Sequence, residues 1–297
     1  MLEKLLTEQA NPASAAIDTL STEEALRIIN AEDHKVAPAV AREIPAIARA
    51  VDAIVAAMEK GGRVFYIGAG TSGRLGVLDA SEIPPTYSAP PEMVQGIMAG
   101  GDAALSRATE TTEDDPAIGV RDLLARGFRA GDVLVGLAAS GRTPYVLGAV
   151  AEAKRLGAVT VGICCVPDAE LSGAVDIAIA PLVGPEIIAG STRMKAGTAQ
   201  KLVLNMISTT TFIRLGYVYG NLMVNVQPKN HKLVERARRI IAQAAEIAYE
   251  RAAELLEAAG GSVRVAIVMA RGGVDRREAE RRLEAAGGRI AKAIAGK

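Results

Sequence analysis

Apolar residues recur along the chain with two periods, and their alternation is the first guide to the fold. Ile44, Ile47, Val51, Ile54, Val55 and Met58 share one face at helical spacing, and Gly61-Gly62 ends that run. Upstream, Ser21 and Glu24 form a capping-box pattern that opens a helix over 22–30, after an irregular arm over 1–20. Near-continuous apolar runs at 63–67 (RVFYI), 132–138 (DVLVGLA), 158–164 and 175–180 read as buried strands. Helical stretches at 74–80, 102–126 and 145–156 separate them. Strand–helix alternation of this kind predicts an α/β fold, a parallel sheet with helices on both faces, in three αβα layers.

Other segments organise the ends. The segment 81–93 (SEIPPTYSAPPEM) holds four prolines and is expected to be irregular. A long helix is predicted over 192–215 and an amphipathic one over 232–259, followed by the apolar run VRVAIVMA and Arg-rich helical sequence. The break falls near NVQPKN. Residues 1–225 therefore read as the main domain with an N-terminal helical arm, and 226–297 as a small helical C-terminal region.

Composition narrows the function classes. Lys+Arg and Asp+Glu are 34 each and aromatics are 3%, so neither the basic footprint nor the stacking platform of a nucleic-acid binder is present. Cys164 and Cys165 are adjacent within an apolar run, which fits a reduced compartment better than a disulfide framework. The start lacks a signal-peptide core, and no apolar run reaches the ~20 residues that span a bilayer. A cytoplasmic protein without membrane contact is expected. His34 and His231 stand far apart without ligand spacing, so no metal centre is expected.

Four signals carry chemistry. Gly68-Ala-Gly70-Thr-Ser-Gly73 follows a strand, but the acidic residue that a dinucleotide site needs about 20 positions on falls in the proline-rich segment. No nucleotide cofactor is expected. Ser72-Gly73-Arg74 and Ser140-Gly141-Arg142 repeat one tripeptide at the carboxyl ends of two predicted strands. Such ends line a shared crevice in a parallel sheet, where close backbone, hydroxyls and helix N-termini suit an anion. Gly70, Thr71, Ser72, Ser140, Gly141, Arg142 and Thr143 are thus candidates for a phosphate monoester and its sugar. In GPEIIAGSTRMKAGTAQK (184–201), Ser191 and Thr192 can cap a helix, while Arg193 and Lys195 oppose its dipole and would welcome an anionic ligand. Finally, Glu82 and Glu113 lie in expected irregular segments, where paired carboxylates can serve as acid and base.

Together these segments resemble the N-acetylmuramic acid 6-phosphate etherases of the sugar isomerase (SIS) superfamily. The resemblance rests on TEQANPAS (7–14), IDTLSTEEALRIINAED (17–33), YIGAGTSGRLGVLDASEIPPTY (66–87), AASGRTPYV (138–146), GPEIIAGSTRMKAGTAQKLVLNMIST (184–209) and RLGYVYGNLMVNVQ (214–227). It spans about residues 5–235. Ile83 and Val166 stand where a cysteine and an asparagine are expected. The resemblance implies an SIS-type domain and a cofactor-free lyase that cleaves the D-lactyl ether by elimination and then hydration. It implies Glu82 as acid toward the departing lactate and Glu113 as base. Ser72, Ser140, Gly141, Arg142 and Thr143 would contact phosphate and sugar, with Ser191, Thr192 and Lys195 as helpers. It also implies a homodimer with the site near the subunit interface. Two alternatives share the motifs: a non-catalytic sugar-phosphate sensor of the glucokinase-regulatory type, and an aldose–ketose isomerase.

Overall fold

A computed structural model describes residues 6–107, 112–228 and 230–296. Two compact units emerge: residues 1–82 with 91–208, and residues 83–90 with 209–297. The composition break near 225 therefore does not coincide with the packing break, which falls inside a long helix.

The first unit is built on a parallel sheet. Its strands are β1 (Val64–Gly68), β2 (Val94–Met98), β3 (Val133–Leu137), β4 (Val159–Ile163) and β5 (Ile177–Ile179), in the order β2-β1-β3-β4-β5. Every residue of β1 and β3 is buried, which is why their sequences read as unbroken apolar runs. Helices α1 (Thr22–Asp33), α2 (Val36–Arg42), α3 (Ile44–Met58), α4 (Gly70–Tyr87), α5 (Pro116–Ala125), α6 (Pro144–Arg155) and α7 (Glu170–Ala174) precede or connect the strands. The Ser21 capping box at α1 forms with both of its bonds. A core of Phe65, Ile67, Leu134, Tyr145, Val146 and Leu171, with neighbours, joins the sheet to α5 and α6.

Several expectations need correction. β2 has no counterpart among the expected strands. The helix expected over 74–80 begins at Gly70 and runs to Tyr87, so half of the proline-rich segment is helical. Pro84 and Pro85 fit because proline's φ is helical and adjacent prolines confine the lost N–H bonds to one turn. The Ser88 N–H closes that turn on the Pro84 carbonyl at 2.8 Å. The helix expected within 102–126 reduces to a short 3-10 turn, Asp102–Leu105, and α5. Residues 108–111 of that stretch lie outside the described residues.

Helix α8 (Lys195–Arg214) begins three residues later than expected and carries the division between the units. The second unit adds a small hairpin, β6 (Val218–Tyr219) with β7 (Leu222–Met223), then α9 (His231–Ala245), α10 (Tyr249–Ala258), α11 (Val263–Gly272), α12 (Arg276–Ala285) and α13 (Ile290–Ala295). The single helix expected over 232–259 is two, because Glu246 adopts a left-handed φ of 57° that caps α9. Tyr87 stacks on Phe212 at 4.5 Å, with Tyr217 edge-on to both, and an aliphatic core from α9 to α13 fills the rest.

Candidate functional site

The sheet order places a topological switch between β1 and β3. The chain leaves β1 toward β2 on one side, while β3 pairs on the other, so the turns after β1 and β3 diverge and leave a crevice at the strand tips. Gly68 and Leu137, the last residues of the two strands, are register partners. The two Ser-Gly-Arg turns therefore start side by side.

The β1 turn is shaped by glycine. A Cβ on Gly73 would lie 2.6 Å from the Gly68 carbonyl oxygen, so the helix can begin directly on the strand end only without side chains. Gly70 takes a φ of 53° at that start, which is easy only for glycine. The Gly73 N–H already bonds to the Ala69 carbonyl, and the amides before it point out of the helix as an anion site. β2 ends in Met98, not in the acidic residue of a dinucleotide fold.

The β3 turn is held by its backbone. Gly141 donates to the Ala138 carbonyl and accepts from the Leu171 N–H, both at 2.9 Å. Its φ is 66° and a Cβ there would meet Ala169 Cβ at 2.4 Å, so a larger residue does not fit. Thr143 precedes α6 without spending its hydroxyl on the helix, and Pro144 opens that helix as expected. Ser140 and Thr143 are half-buried and Arg142 is exposed.

Two further segments reach these turns. The Tyr145 N–H donates to the Glu113 carbonyl at 3.0 Å, so Glu113 adjoins the start of α6. That approach needs Gly119 and Gly148, whose Cβ atoms would fall 1.9 Å from the Tyr145 oxygen and 2.3 Å from the Pro116 oxygen. The start of α8 lies against the start of α4: a Cβ on Gly197 would sit 3.3 Å from the Thr71 methyl. Ser72 donates to Gln200 Oε1 at 2.8 Å.

The start of α8 differs from its sequence reading. Its amides are capped by the buried Glu186, which accepts from the Lys195 and Ala196 N–H groups at 2.9 Å each, and not by Ser191 or Thr192. The anion that the basic residues called for is thus internal. Lys195 turns inward to Glu32 at 2.6 Å and is 1% exposed. The arm backs this segment: Asn11 donates to the Pro185 carbonyl and Ser14 to the Ile187 carbonyl. Ser191 and Thr192 remain half-buried in the turn before α8.

Glu82 is exposed near the end of α4. It stands ten residues beyond Ser72, about 15 Å along the helix axis. Glu113 and the start of α8 thus each adjoin one of the two serine turns. Gln200, Glu186 and Glu32 were not singled out in the sequence. Their partners lie 128, 9 and 163 residues away, beyond the reach of any local pattern. Among the described residues no cluster of metal-ligating side chains occurs, and no helix is long and apolar enough to cross a membrane.

A five-stranded parallel sheet with a switch point between β1 and β3, flanked by helices, is the architecture of an SIS-type domain. Residues 46–154 match the family model of the glucokinase regulatory protein N-terminal SIS domain, and residues 111–209 match the SIS domain. The chain is 57% identical to the N-acetylmuramic acid 6-phosphate etherase of Symbiobacterium thermophilum, over 92% of this chain and 91% of that one. It is 54% identical to the etherase of Aeromonas hydrophila, over 98% of each. The fold also matches the solved phosphoheptose isomerase of Neisseria gonorrhoeae, with a TM-score of 0.51 and 17% identity over 64% of this chain and 98% of that one. The chain belongs to the N-acetylmuramic acid 6-phosphate etherase family.

Proposed function

We propose that this protein is a carbon–oxygen lyase that cleaves the D-lactyl ether of N-acetylmuramic acid 6-phosphate to N-acetylglucosamine 6-phosphate and D-lactate. The observation that carries the reading is identity above half to etherases over nearly the whole chain. The serine turns at the switch point supply matching chemistry for a phosphate monoester.

The open-chain aldehyde acidifies the proton on the adjacent carbon, which bears the acetamido group. A carboxylate at the site removes it, and the electron pair expels the lactyl oxygen, protonated by an acid. Water then adds to the unsaturated aldehyde. Glu113 adjoins the phosphate turn in its own chain and is assigned as base. Glu82 is assigned as acid. Its distance along α4 favours a homodimer in which a second copy supplies Glu82 to the site. Leu78, one turn earlier on the same face, is 50% exposed and suits such a contact. Gly70, Thr71, Ser72, Ser140, Gly141, Arg142 and Thr143 hold the sugar phosphate, with Ser191 and Thr192 at the rim. Lys195 acts from within, fixing the α8 start through Glu32. A cytoplasmic location and a place in amino-sugar catabolism or cell-wall recycling go with this substrate.

The test is D-lactate release from the muramic sugar phosphate by purified protein. Steady release scaling with enzyme is expected. No release at micromolar enzyme over hours rejects the reading, and isomerisation of the sugar phosphate without lactate would support the isomerase instead.

A further inference from the structure

Four positions three apart, Glu113, Pro116, Gly119 and Asp122, each meet the first turns of α6. The Glu113 carbonyl accepts from the Tyr145 N–H at 3.0 Å. A Cβ on Gly148 would stand 2.3 Å from the Pro116 carbonyl oxygen, and one on Gly119 1.9 Å from the Tyr145 carbonyl oxygen. Last in the series, Asp122 Oδ2 accepts from the Tyr145 hydroxyl at 3.0 Å, while Oδ1 accepts from Arg121 Nη2 at 2.9 Å. Tyr145 is fully buried and the Asp122 side chain is 22% exposed. Burial, and after it the Asp122 charge, push the phenol above its ordinary range, so it stays a proton donor. One residue of α6 thus holds α5 by its side chain and Glu113 by its backbone.

The two glycine contacts bring backbones close but do not fix their register, because glycine has no side chain to interlock. A directional hydrogen bond does. Asp115 caps α5 through the Ala117 N–H at 2.8 Å, so the link from Glu113 to the helix is short and partly fixed. A slide of α5 along α6 would therefore carry Glu113 with it. We infer that Tyr145 is a positioning residue for Glu113: its hydroxyl, bonded to Asp122, fixes α5 on α6 and with it the backbone that bears the assigned base. This deepens the proposed function and rests on its assignment of Glu113. The rate is sensitive to such alignment, since a misplacement of about 1 Å can cost about 100-fold.

The test uses the full-length protein and D-lactate release from the muramic sugar phosphate. Tyr145→Phe removes one hydroxyl and leaves the ring, and Asp122→Ala removes its acceptor. Each is expected to lower kcat about tenfold with KM within about twofold of wild type. The double variant should be no worse than either single change, because both remove the same bond. Asp122→Asn keeps an acceptor oxygen and should hold kcat within about threefold of wild type. In a Glu113→Gln background, whose slow residual release is followed at micromolar enzyme, Tyr145→Phe should change the rate less than about twofold. A merely structural loss would lower the rate alike in both backgrounds. Unchanged kcat in Tyr145→Phe, a KM raised about tenfold, multiplying effects in the double variant, Asp122→Asn no better than Asp122→Ala, or an equal loss in the Glu113→Gln background would each overturn the inference. If the wild type releases no D-lactate, the etherase reading fails, and hydrogen exchange still tests the clasp. Faster exchange of the amides over 113–119 is expected in Tyr145→Phe, and unchanged exchange would overturn it.

Discussion

Glu32 and Lys195 lie 163 residues apart in sequence and form an ion pair of 2.6 Å that is almost wholly buried. The pair joins α1 to the start of α8, and Lys35 meets the other carboxylate oxygen. Burial by itself raises the Glu32 carboxyl, but hydrogen bonds from Lys195, Lys35 and Asn11 outweigh it and hold the group at about 2. A carboxyl lowered on folding binds its proton first in the unfolded chain. Its contribution is therefore present above about 4.5 and is lost as pH falls toward 2. Denaturant titrations from pH 7 to pH 2 should show Glu32→Gln destabilised at neutral pH and converging on wild type in acid. Lys195→Met should cost about 3–5 kcal/mol, because it strands a buried carboxylate. A neutral effect of both changes would contradict this account.

Asp79 titrates in the opposite sense. Burial drives its carboxyl above the ordinary range, against the contacts of Tyr66 and Ser208 and the charge of Lys201. Ser208 donates to Oδ1, while Oδ2 is buried without a hydrogen-bond partner among the described residues. A raised carboxyl favours the folded state below its unfolded value, and that advantage is lost as pH rises through the folded value. Asp79→Asn should therefore stabilise the protein at pH 7, with the gain vanishing below about pH 4. Thermal unfolding across that range checks it.

Gly119 lets α5 rest on α6. A methyl group there would sit 1.9 Å from the Tyr145 carbonyl oxygen, which belongs to backbone and cannot swing aside. Gly119→Ala should cost about 1–3 kcal/mol through overpacking. It should also lower kcat, because the Glu113 backbone is tied to the same residue. Stability and turnover measured together will show whether the two losses coincide.

Subunit mixing probes the placement of Glu82. Glu82→Ala and Glu113→Ala should each lower turnover by orders of magnitude while sugar-phosphate binding survives. If the site draws Glu82 from a second copy, co-refolded variants should recover about a quarter of wild-type activity, since half the dimers are mixed and each has one intact site. Absence of recovery in verified mixed dimers would assign both carboxylates to one chain.

Ser140 is half-buried at the β3 turn, beside the close approach of Gly141 to Ala169. Ser140→Ala should weaken sugar-phosphate affinity by about 1–2 kcal/mol, the loss of a charge-assisted hydrogen bond. Titration with a phosphorylated glucosamine measures it, and unchanged affinity would move the phosphate elsewhere.

Where the sequence misled, the cause was packing. In β2, Val94–Met98, Gln95 and Gly96 interrupt the apolar pattern, and glycine counts against a strand. The structure needs glycine there, because a Cβ on Gly96 would stand 2.6 Å from the Val77 Cα. Pro84 and Pro85 argued for a loop, yet they extend α4 into the stack of Tyr87 on Phe212. Lys195 read as a cation awaiting a ligand because its partner stands in another helix.

Local pattern by itself determined what depends on near neighbours: the buried strands β1, β3 and β4, the capping box at Ser21, proline at the head of α6, and the glycine–serine turns at two strand tips. Those features arise from periodicity, φ preference and side chains within one turn, all of which a string of residues records. Tertiary structure decided the strand order, the inward turn of Lys195, the Glu186 cap and the bond from Ser72 to Gln200. Each of these joins or parts groups by folding in space, and the energy of such pairing depends on burial and distance that no local pattern contains.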